Sequence, residues 1–216
     1  MGSPFKSDVP EFPLRFALML RDWFDCRVFV ETGTYQGNTA RLVAPYFDVV
    51  MTVEGVLERY EMLSGAEMPD NVERWMGDSD IWLGAMLRKA DVPCIIFLDA
   101  HWIHAGMDVD DDTYQFDLSV CPLRGELEAI DMSAPHVILI DDAHFFTHPP
   151  QNRGNDDEWL SLDQVCELLP GRYVFIHEGM ICAVPEVYRS DAREWLKVNW
   201  RDADRIPATR HCTCNV

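Results

Sequence analysis

Short apolar runs alternate along the chain with longer stretches whose apolar residues recur at helical spacing. The runs are rich in β-branched and aromatic residues, which favour strands. Three consecutive pairs of predicted strand and helix occupy 27–31 with 38–46, 49–54 with 57–63, and 72–76 with 81–89. This alternation predicts an α/β fold with a parallel sheet.

The second half of the chain continues the pattern. Runs at 94–98 and 136–140 are almost entirely apolar, which is typical of central strands buried on both faces. We predict a helix at 123–130 with its acidic residues facing outward, and another at 159–169 that ends before Pro170-Gly171. The remaining predicted elements are an antiparallel hairpin of 173–177 with 180–184, and an amphipathic helix at 191–200.

These elements predict one doubly wound, mostly parallel seven-stranded sheet with an antiparallel C-terminal hairpin, in which one edge strand is reversed. The whole chain, 1–216, reads as a single domain with an N-terminal helical extension at about 1–24. This extension either packs on the domain or forms a lid over the substrate. In such sheets ligands bind outside the carboxyl ends of the strands, near the point where strand order reverses.

Charge and composition narrow the class of partner. The chain has 37 acidic and 18 basic residues, a net charge of −19, which disfavours nucleic acid as a partner. No apolar stretch is long enough to cross a bilayer, and the N-terminus lacks the features of a signal peptide. The seven cysteines are scattered, as in reducing compartments. We therefore expect a cytoplasmic protein without a membrane partner, whose oligomeric state the sequence does not indicate.

A glycine-containing turn follows the first predicted strand. Residues 31–37, Glu-Thr-Gly-Thr-Tyr-Gln-Gly, place two glycines where the strand passes into a helix, so that backbone amides can approach a ligand closely. The turn lacks both the dinucleotide fingerprint and the lysine of a phosphate loop. This makes pyrophosphate binding a weaker interpretation than binding of another cofactor.

Acidic residues end three successive strands. Glu31 ends the first, Glu54 the second, and Asp78 follows the third. Each has a purely structural alternative, because Glu31 or Asp78 can cap a helix and Glu54 can be a surface acid. Three independent caps need not fall on consecutive strand ends of one edge, so the set favours a binding site.

The order of these motifs, from Arg27 to Val184, resembles the class I S-adenosylmethionine-dependent methyltransferase family. The resemblance implies that the turn at 31–37 lies under the methionine part of the cofactor and that Glu54 accepts hydrogen bonds from both ribose hydroxyls. It also implies that Gly77-Asp78-Ser79 contacts the adenine amino group and that Asp99 lies near the methyl group. The implied cofactor-binding residues are Glu31, Thr32, Gly33, Thr34, Tyr35, Gly37, Thr39, Glu54, Gly55, Gly77, Asp78, Ser79, Asp99, Ala100 and His101.

Three further acids end the fourth and fifth strands. Asp99, Asp141 and Asp142 are similar in position to the acids that hold Mg²⁺ in metal-dependent O-methyltransferases acting on catechols and sugars, and carboxylates suit this hard cation. His101 stands where the sugar-modifying relatives usually carry another acid. The metal therefore stays open, and the metal-free alternative uses His101 or His144 as the general base. We prefer His101.

The expected function is O-methylation of a small polar acceptor, such as a sugar or natural-product hydroxyl. Alternatives are an enzyme that cyclises or cleaves the same cofactor, a non-catalytic cofactor-binding module, and, third, an enzyme that uses a nucleotide sugar or NAD. We expect acceptor specificity to lie in the loops at 108–119 and 148–158. The aromatic residues expected to enclose the pocket, if they have a role there, are Tyr35, Trp102, Phe145 and Trp159. The alternative, which is the commoner role of aromatic residues near strand ends, is plain packing.

Overall fold

Seven strands form one sheet in the described part of the chain. The computed structural model describes residues 12–63, 68–101, 119, 121–148 and 158–199. In chain order the strands are β1 (Val28–Thr32), β2 (Val49–Glu54), β3 (Val72–Met76), β4 (Cys94–Leu98), β5 (Val137–Ile140), β6 (Arg172–His177) and β7 (Met180–Pro185).

The strands lie in the order β3-β2-β1-β4-β5-β7-β6. Strands β1 to β5 pair in parallel, whereas β7 runs antiparallel to both β5 and β6. The predicted mostly parallel sheet with an antiparallel C-terminal hairpin is confirmed. The prediction of a reversed edge strand was wrong, because β7 enters the sheet between β5 and β6 and the edge strand β6 is parallel to the others. Strand order reverses between β1 and β4, where the chain leaves one half of the sheet for the other.

Helices follow most strands. They are α1 (Leu14–Phe24), α2 (Asn38–Val43), α3 (Leu57–Met62), α4 (Ser79–Ala90), α5 (Leu123–Glu128), α6 (Ala143–Thr147), α7 (Leu162–Glu167) and α8 (Arg189–Asn199). Within these ranges no helix has the length and apolar character that crossing a bilayer requires.

The helix α7 is shorter than the predicted 159–169. It begins after Ser161, whose hydroxyl accepts the backbone N–H of Gln164 at 3.3 Å while the Gln164 side chain accepts the N–H of Ser161 at 2.8 Å. This reciprocal cap fixes the start of the helix, because it satisfies two donors that the first turn leaves free. Trp159 and Leu160 are buried before the helix begins.

Alternate residues of the central strands enter two cores, one on each face of the sheet. Val28 and Val30 of β1 pack with residues of α4, α5 and α7 on one face, whereas Phe29 packs with residues of α1, α2 and α8 on the other. A strand buried on both faces must be apolar at every position, which explains the unbroken apolar runs of β4 and β5. The sheet is therefore doubly wound.

The described part of the N-terminal extension packs on the sheet. The ring of Phe16 lies 6.4 Å from that of Phe175 in β6 and 5.2 Å from the ring of Trp195 in α8. Helix α1 ends at Asp25, which adopts a left-handed conformation and donates its N–H to the carbonyl of Arg21. The described helix thus contributes to the core, and residues 1–11 lie outside the described ranges.

A buried arginine holds the amino-terminal edge of the sheet together. The Arg172 guanidinium donates to the carbonyl oxygens of His136 at 2.5 Å, Met132 at 3.0 Å and Ala134 at 2.6 Å. His136 in turn accepts the backbone N–H of Cys94 at its Nδ1, at 3.1 Å. One side chain of β6 therefore supplies hydrogen-bond donors to the carbonyl oxygens of the loop that leads into β5.

We expect Arg172→Met to lower the free energy of unfolding by about 3 kcal/mol, because it leaves three carbonyl oxygens without their donor. Urea denaturation followed by circular dichroism measures this loss. Lys197→Met, which changes an exposed residue of α8, is the control and is expected to change stability by less than about 0.5 kcal/mol. An Arg172→Met protein as stable as the wild type would contradict the role given to this guanidinium.

Candidate functional site

The turn after β1 lies tightly against the end of β4. Gly33 has φ +83°, and a Cβ atom at this position would lie 2.2 Å from the carbonyl oxygen of Asp99. The N–H groups of Gly33 and Thr34 donate to the carbonyl of Val53, at 3.0 and 3.2 Å, so β2 holds the same turn from its other side. Only glycine combines this φ with this approach. The predicted glycine turn therefore sits at the point where strand order reverses.

Glu31 is a buried acid at the end of β1. Its side chain is 1% exposed and accepts a hydrogen bond from the Thr52 hydroxyl at 2.6 Å, with the Thr39 hydroxyl as a second partner. Burial raises the pKa of Glu31 to about 8, and the nearby charge of Glu54 adds to this shift. Glu31 bonds to threonine hydroxyls rather than capping α2, whose first residue follows Gly37 without a side-chain cap.

Glu54 ends β2 and is fixed by the backbone. It is 4% exposed, and its two carboxylate oxygens accept the N–H groups of Tyr35 at 2.8 Å and Val56 at 3.0 Å. The alternative that Glu54 is a surface acid was therefore wrong. Each oxygen accepts one backbone N–H in the described structure, and a carboxylate oxygen can accept two hydrogen bonds.

The turn after β3 completes this half of the edge. Gly77 donates its N–H to the carbonyl of Glu54 at 2.9 Å, which ties the turn to β2. Asp78 precedes α4 but makes no capping bond with its side chain, and Ser79, the first residue of that helix, is buried. The indole of Trp82 covers Gly77, where a Cβ atom would lie 2.4 Å from Trp82 Nε1.

The acids of β4 and β5 lie close to one another. Burial raises the pKa of Asp99 well above its ordinary value, and Asp141, Glu31, Asp142 and Glu126 raise it further by their charge. Burial and the charge of Asp142 likewise raise the pKa of Asp141. Repulsion between neighbouring negative charges favours the protonated form of these carboxyl groups or the binding of a cation. Within the described ranges, however, no group of three or more histidine, cysteine, aspartate and glutamate side chains is arranged to hold a metal ion.

His101 lies beside this acidic group in an aromatic enclosure. Its Nε2 is 3.4 Å from an oxygen of Asp142, and its side chain is 4% exposed. The rings of Trp159, Phe146 and Phe145 surround it with centroid distances of 5.6, 5.9 and 6.3 Å. Two of the aromatic residues expected to enclose the pocket thus pack against this imidazole.

Asp142 also faces the second candidate histidine. His144 Nδ1 lies 3.7 Å from the other oxygen of Asp142, and the His144 side chain is largely exposed. Asp142 itself has a left-handed backbone, φ 51°, and its N–H donates to Asp141 at 2.8 Å. A strained turn therefore places Asp141 and Asp142 after β5. This turn positions the Asp142 carboxylate between the imidazoles of His101 and His144.

Some of the other predicted site positions lie away from the enclosure around His101, and some lie outside the described residues. Tyr35 is 52% exposed and its ring lies 5.1 Å from the Arg59 guanidinium, so it borders the edge rather than enclosing it. Trp102 and most of the two predicted specificity loops lie outside the described residues. Of the remaining positions of the resemblance, Thr32 is the last residue of β1 and Thr39 lies in the first turn of α2. Gly55 follows β2, and Ala100 follows β4.

Glu126 is a buried acid beside the candidate site that the sequence analysis did not identify. The acidic residues of its helix were expected to face outward, and for Glu126 this was wrong: it is 2% exposed, whereas Glu128 faces solvent. The sequence does contain a signal for this burial, because one face of the helix carries Leu123, Glu126 and Leu127 and continues to Ile130. An acid at a core position of an amphipathic helix is rare enough to mark a site.

The pKa of Glu31 predicts how stability depends on pH. The folded protein holds a proton on Glu31 up to a pKa of about 8, whereas the unfolded chain releases it near the ordinary value of 4.5. The free energy of unfolding therefore falls as pH rises through this window. In Glu31→Gln this contribution is absent, so urea denaturation at about pH 5 and about pH 8 should show a smaller fall than in the wild type. The exposed Glu58→Gln is the control, and equal falls in all three proteins would contradict the prediction.

Comparison with known proteins rests on structure. Neither a protein-family model nor a curated protein matches the sequence at a significant level. A protein from Staphylococcus aureus, provisionally assigned as a caffeoyl-CoA O-methyltransferase, aligns with a TM-score of 0.52 and 14% identity over 83% of this chain and 85% of its own. An O-methyltransferase from Bacillus cereus in complex with S-adenosylhomocysteine aligns with a TM-score of 0.50 and 18% identity over 83% of this chain and 84% of its own. At these identities the likeness shows the fold, and the protein therefore has the α/β fold of S-adenosylmethionine-dependent methyltransferases.

Proposed function

We propose that the protein is an S-adenosylmethionine-dependent methyltransferase. The observation that carries the proposal is the position of Glu31, Glu54 and Asp78 at the carboxyl ends of three adjacent strands, beside the reversal of strand order at β1 and β4. Glu31 and Glu54 are buried there rather than solvated. Such burial is costly for acids, and a ligand that uses them accounts for their retention.

The donor and acceptor groups at this edge fit the cofactor. Glu54 keeps one acceptor position on each oxygen, which suits the two adjacent hydroxyls of a ribose. Gly33 lets the turn rest on the backbone of Asp99, which brings the ends of β1 and β4 together at this edge. When bound, S-adenosylmethionine supplies an activated methyl group on its sulfonium. Burial and the neighbouring acids raise the pKa of Asp99, and a cationic sulfonium beside this carboxyl group would favour its ionised form.

We infer that the acceptor is a small polar molecule with a hydroxyl group, such as a sugar or natural product. His101 is the base that takes the hydroxyl proton. Its Nε2 faces Asp142, so Nδ1 is the atom left to accept that proton, with Asp142 orienting the ring. Because the side chain is 4% exposed, this role requires the hydroxyl to enter the aromatic enclosure, which also excludes water. His144 and Asp99 are the other candidate groups for this step.

A divalent cation is the second version of the same site. Asp99, Asp141 and Asp142 supply oxygen ligands of the kind that Mg²⁺ prefers, and a cation there would relieve their mutual repulsion. Since His101 already faces Asp142, we place the metal-free version first. Activity that persists in EDTA supports the metal-free version, and activity restored by Mg²⁺ after EDTA supports the other.

Cofactor binding tests the proposal directly. We expect isothermal titration calorimetry to detect S-adenosylhomocysteine binding to the wild type, and Glu54→Ala to weaken it at least tenfold, roughly the effect of two charge-assisted hydrogen bonds. Glu58→Ala, four residues later and exposed, should bind as the wild type does. Thermal unfolding of Glu54→Ala without ligand checks that the loss is not one of folding. Binding of NAD in place of S-adenosylhomocysteine would overturn the assignment.

Transfer of a labelled methyl group to a panel of sugar and natural-product hydroxyls tests the chemistry. With an acceptor from this panel, His101→Ala should lower kcat by roughly a hundredfold or more while S-adenosylhomocysteine affinity stays unchanged, because the base acts only on the acceptor. Lys197→Ala, at an exposed position of α8, is the control. Full turnover by His101→Ala would remove this residue from the mechanism. Consumption of cofactor without any acceptor would favour an enzyme that cyclises or cleaves it.

A further inference from the structure

Glu126 is a buried acid that the proposed function does not use. It lies on α5, and its oxygen Oε1 is enclosed without a hydrogen-bond partner among the described residues. Burial raises the pKa of its carboxyl group. A buried polar atom without a partner destabilises the fold, so its retention calls for an explanation.

The same carboxyl group meets two hydroxyls of the candidate cofactor site. The side chains of Ser79 and Thr32 are its hydrogen-bond partners, and both lower its pKa. Thr32 Oγ1 lies 3.3 Å from the backbone N–H of Asp99, which it accepts, so the threonine proton is free for Glu126. Glu126 thereby links the end of β1 with the first residue of α4. Helix α4 follows β3, and β2 separates β3 from β1 in the sheet.

Close packing of two helices brings Glu126 to this position. A Cβ atom at Gly125 would lie 2.7 Å from the Cβ of Asp80, so the absence of a side chain lets α5 rest on the start of α4. Leu123 and Leu127, on the same face, are buried in the core beside it. The helix is therefore seated with its acid pointing at the edge where the strands end.

We propose that Glu126 is a positioning residue of the cofactor site, which holds the Thr32 and Ser79 hydroxyls in place at the ends of β1 and β3. The inference rests on the proposed function, since it concerns the same edge. Helical spacing alone favours an apolar residue at this position, because such a residue would match Leu123 and Leu127 and leave no unpaired oxygen. A role in positioning groups of the cofactor site therefore explains this acid better than a role in stabilising the fold.

Two substitutions separate these roles. Glu126→Met keeps the length of the side chain and removes the acceptor, whereas Glu126→Gln keeps an amide oxygen that can accept from both hydroxyls. We expect Glu126→Met to weaken S-adenosylhomocysteine binding by roughly tenfold, with a thermal unfolding midpoint at or above that of the wild type. Glu126→Gln should restore affinity to within roughly threefold of the wild type.

A double-mutant cycle shows whether the effect passes through the hydroxyls. If Glu126 acts through Ser79, Ser79→Ala already removes much of its contribution, so the double variant Ser79→Ala with Glu126→Met binds less weakly than the two single effects combined predict. The controls are Glu128→Met, on the exposed face of the same helix, and Arg172→Met, which destabilises the opposite edge. Both should bind S-adenosylhomocysteine as the wild type does below their unfolding temperatures.

Each result decides the matter. Wild-type affinity in Glu126→Met overturns the inference while leaving the proposed function in place. Failure of Glu126→Gln to recover affinity, or strict additivity with Ser79→Ala, also overturns it, since neither fits a role in holding the hydroxyls. A wild type that does not bind S-adenosylhomocysteine overturns the proposed function itself, and with it this inference.

Discussion

The contact between the Gly33 turn and the end of β4 is the constraint on which the rest of the edge depends. Strands β1 and β4 are neighbours in space although 60 residues, 34–93, lie between Gly33 and the start of β4 at Cys94. The turn fits there because Gly33 carries no side chain, and Asp99 of the same junction donates its N–H to the carbonyl of Thr32 at 3.1 Å. Glu31 and Asp99 take their positions from the two strands that meet at this junction.

The burial of several acids at one edge destabilises the folded protein, and the fold itself does not require these acids. Glu31, Asp99, Glu126 and Asp141 all have raised pKa values, and burial is the largest cause for each. By contrast, the buried Arg172 at the opposite edge binds only backbone carbonyls and serves the fold. The two edges thus differ in kind, since the guanidinium at one edge stabilises the fold, whereas the acids at the other are buried with raised pKa values, as is common at functional sites.

Most of the architecture could be predicted from the sequence because strands buried on both faces leave an unmistakable apolar run. The bounds of β4 agree with the predicted range for this reason. Those of β2 and β3 also agree, although the edge strand β3 contains charged residues and is only partly buried. The position of β7 could not be predicted in the same way, since a hairpin pairs equally well whichever of its strands joins β5, and the choice depends on long-range packing. The early start predicted for α7 failed because Trp159 and Leu160 are buried without being helical.

The sequence allows the positions of acids to be predicted where they follow strands, but not where a helix supplies them. Glu31, Glu54 and Asp99 lie at one edge, as expected, because the carboxyl ends of parallel strands meet there. The burial of Glu126 was not predicted, because acidic residues on a short helix are usually solvated. The pairing of His101 with Asp142 depends on the left-handed turn at Asp142, which no local pattern indicates.

The insertion of β7 between β5 and β6 also governs when the sheet can be completed. Strand β5 stays an open edge until residue 185 has been synthesised, because β6 reaches the sheet only through its later neighbour. Until then a nascent chain exposes the unpaired groups of a wholly apolar strand, a template for association with other chains. The order of strands therefore makes pairing of the last hairpin the step that covers the apolar edge of β5.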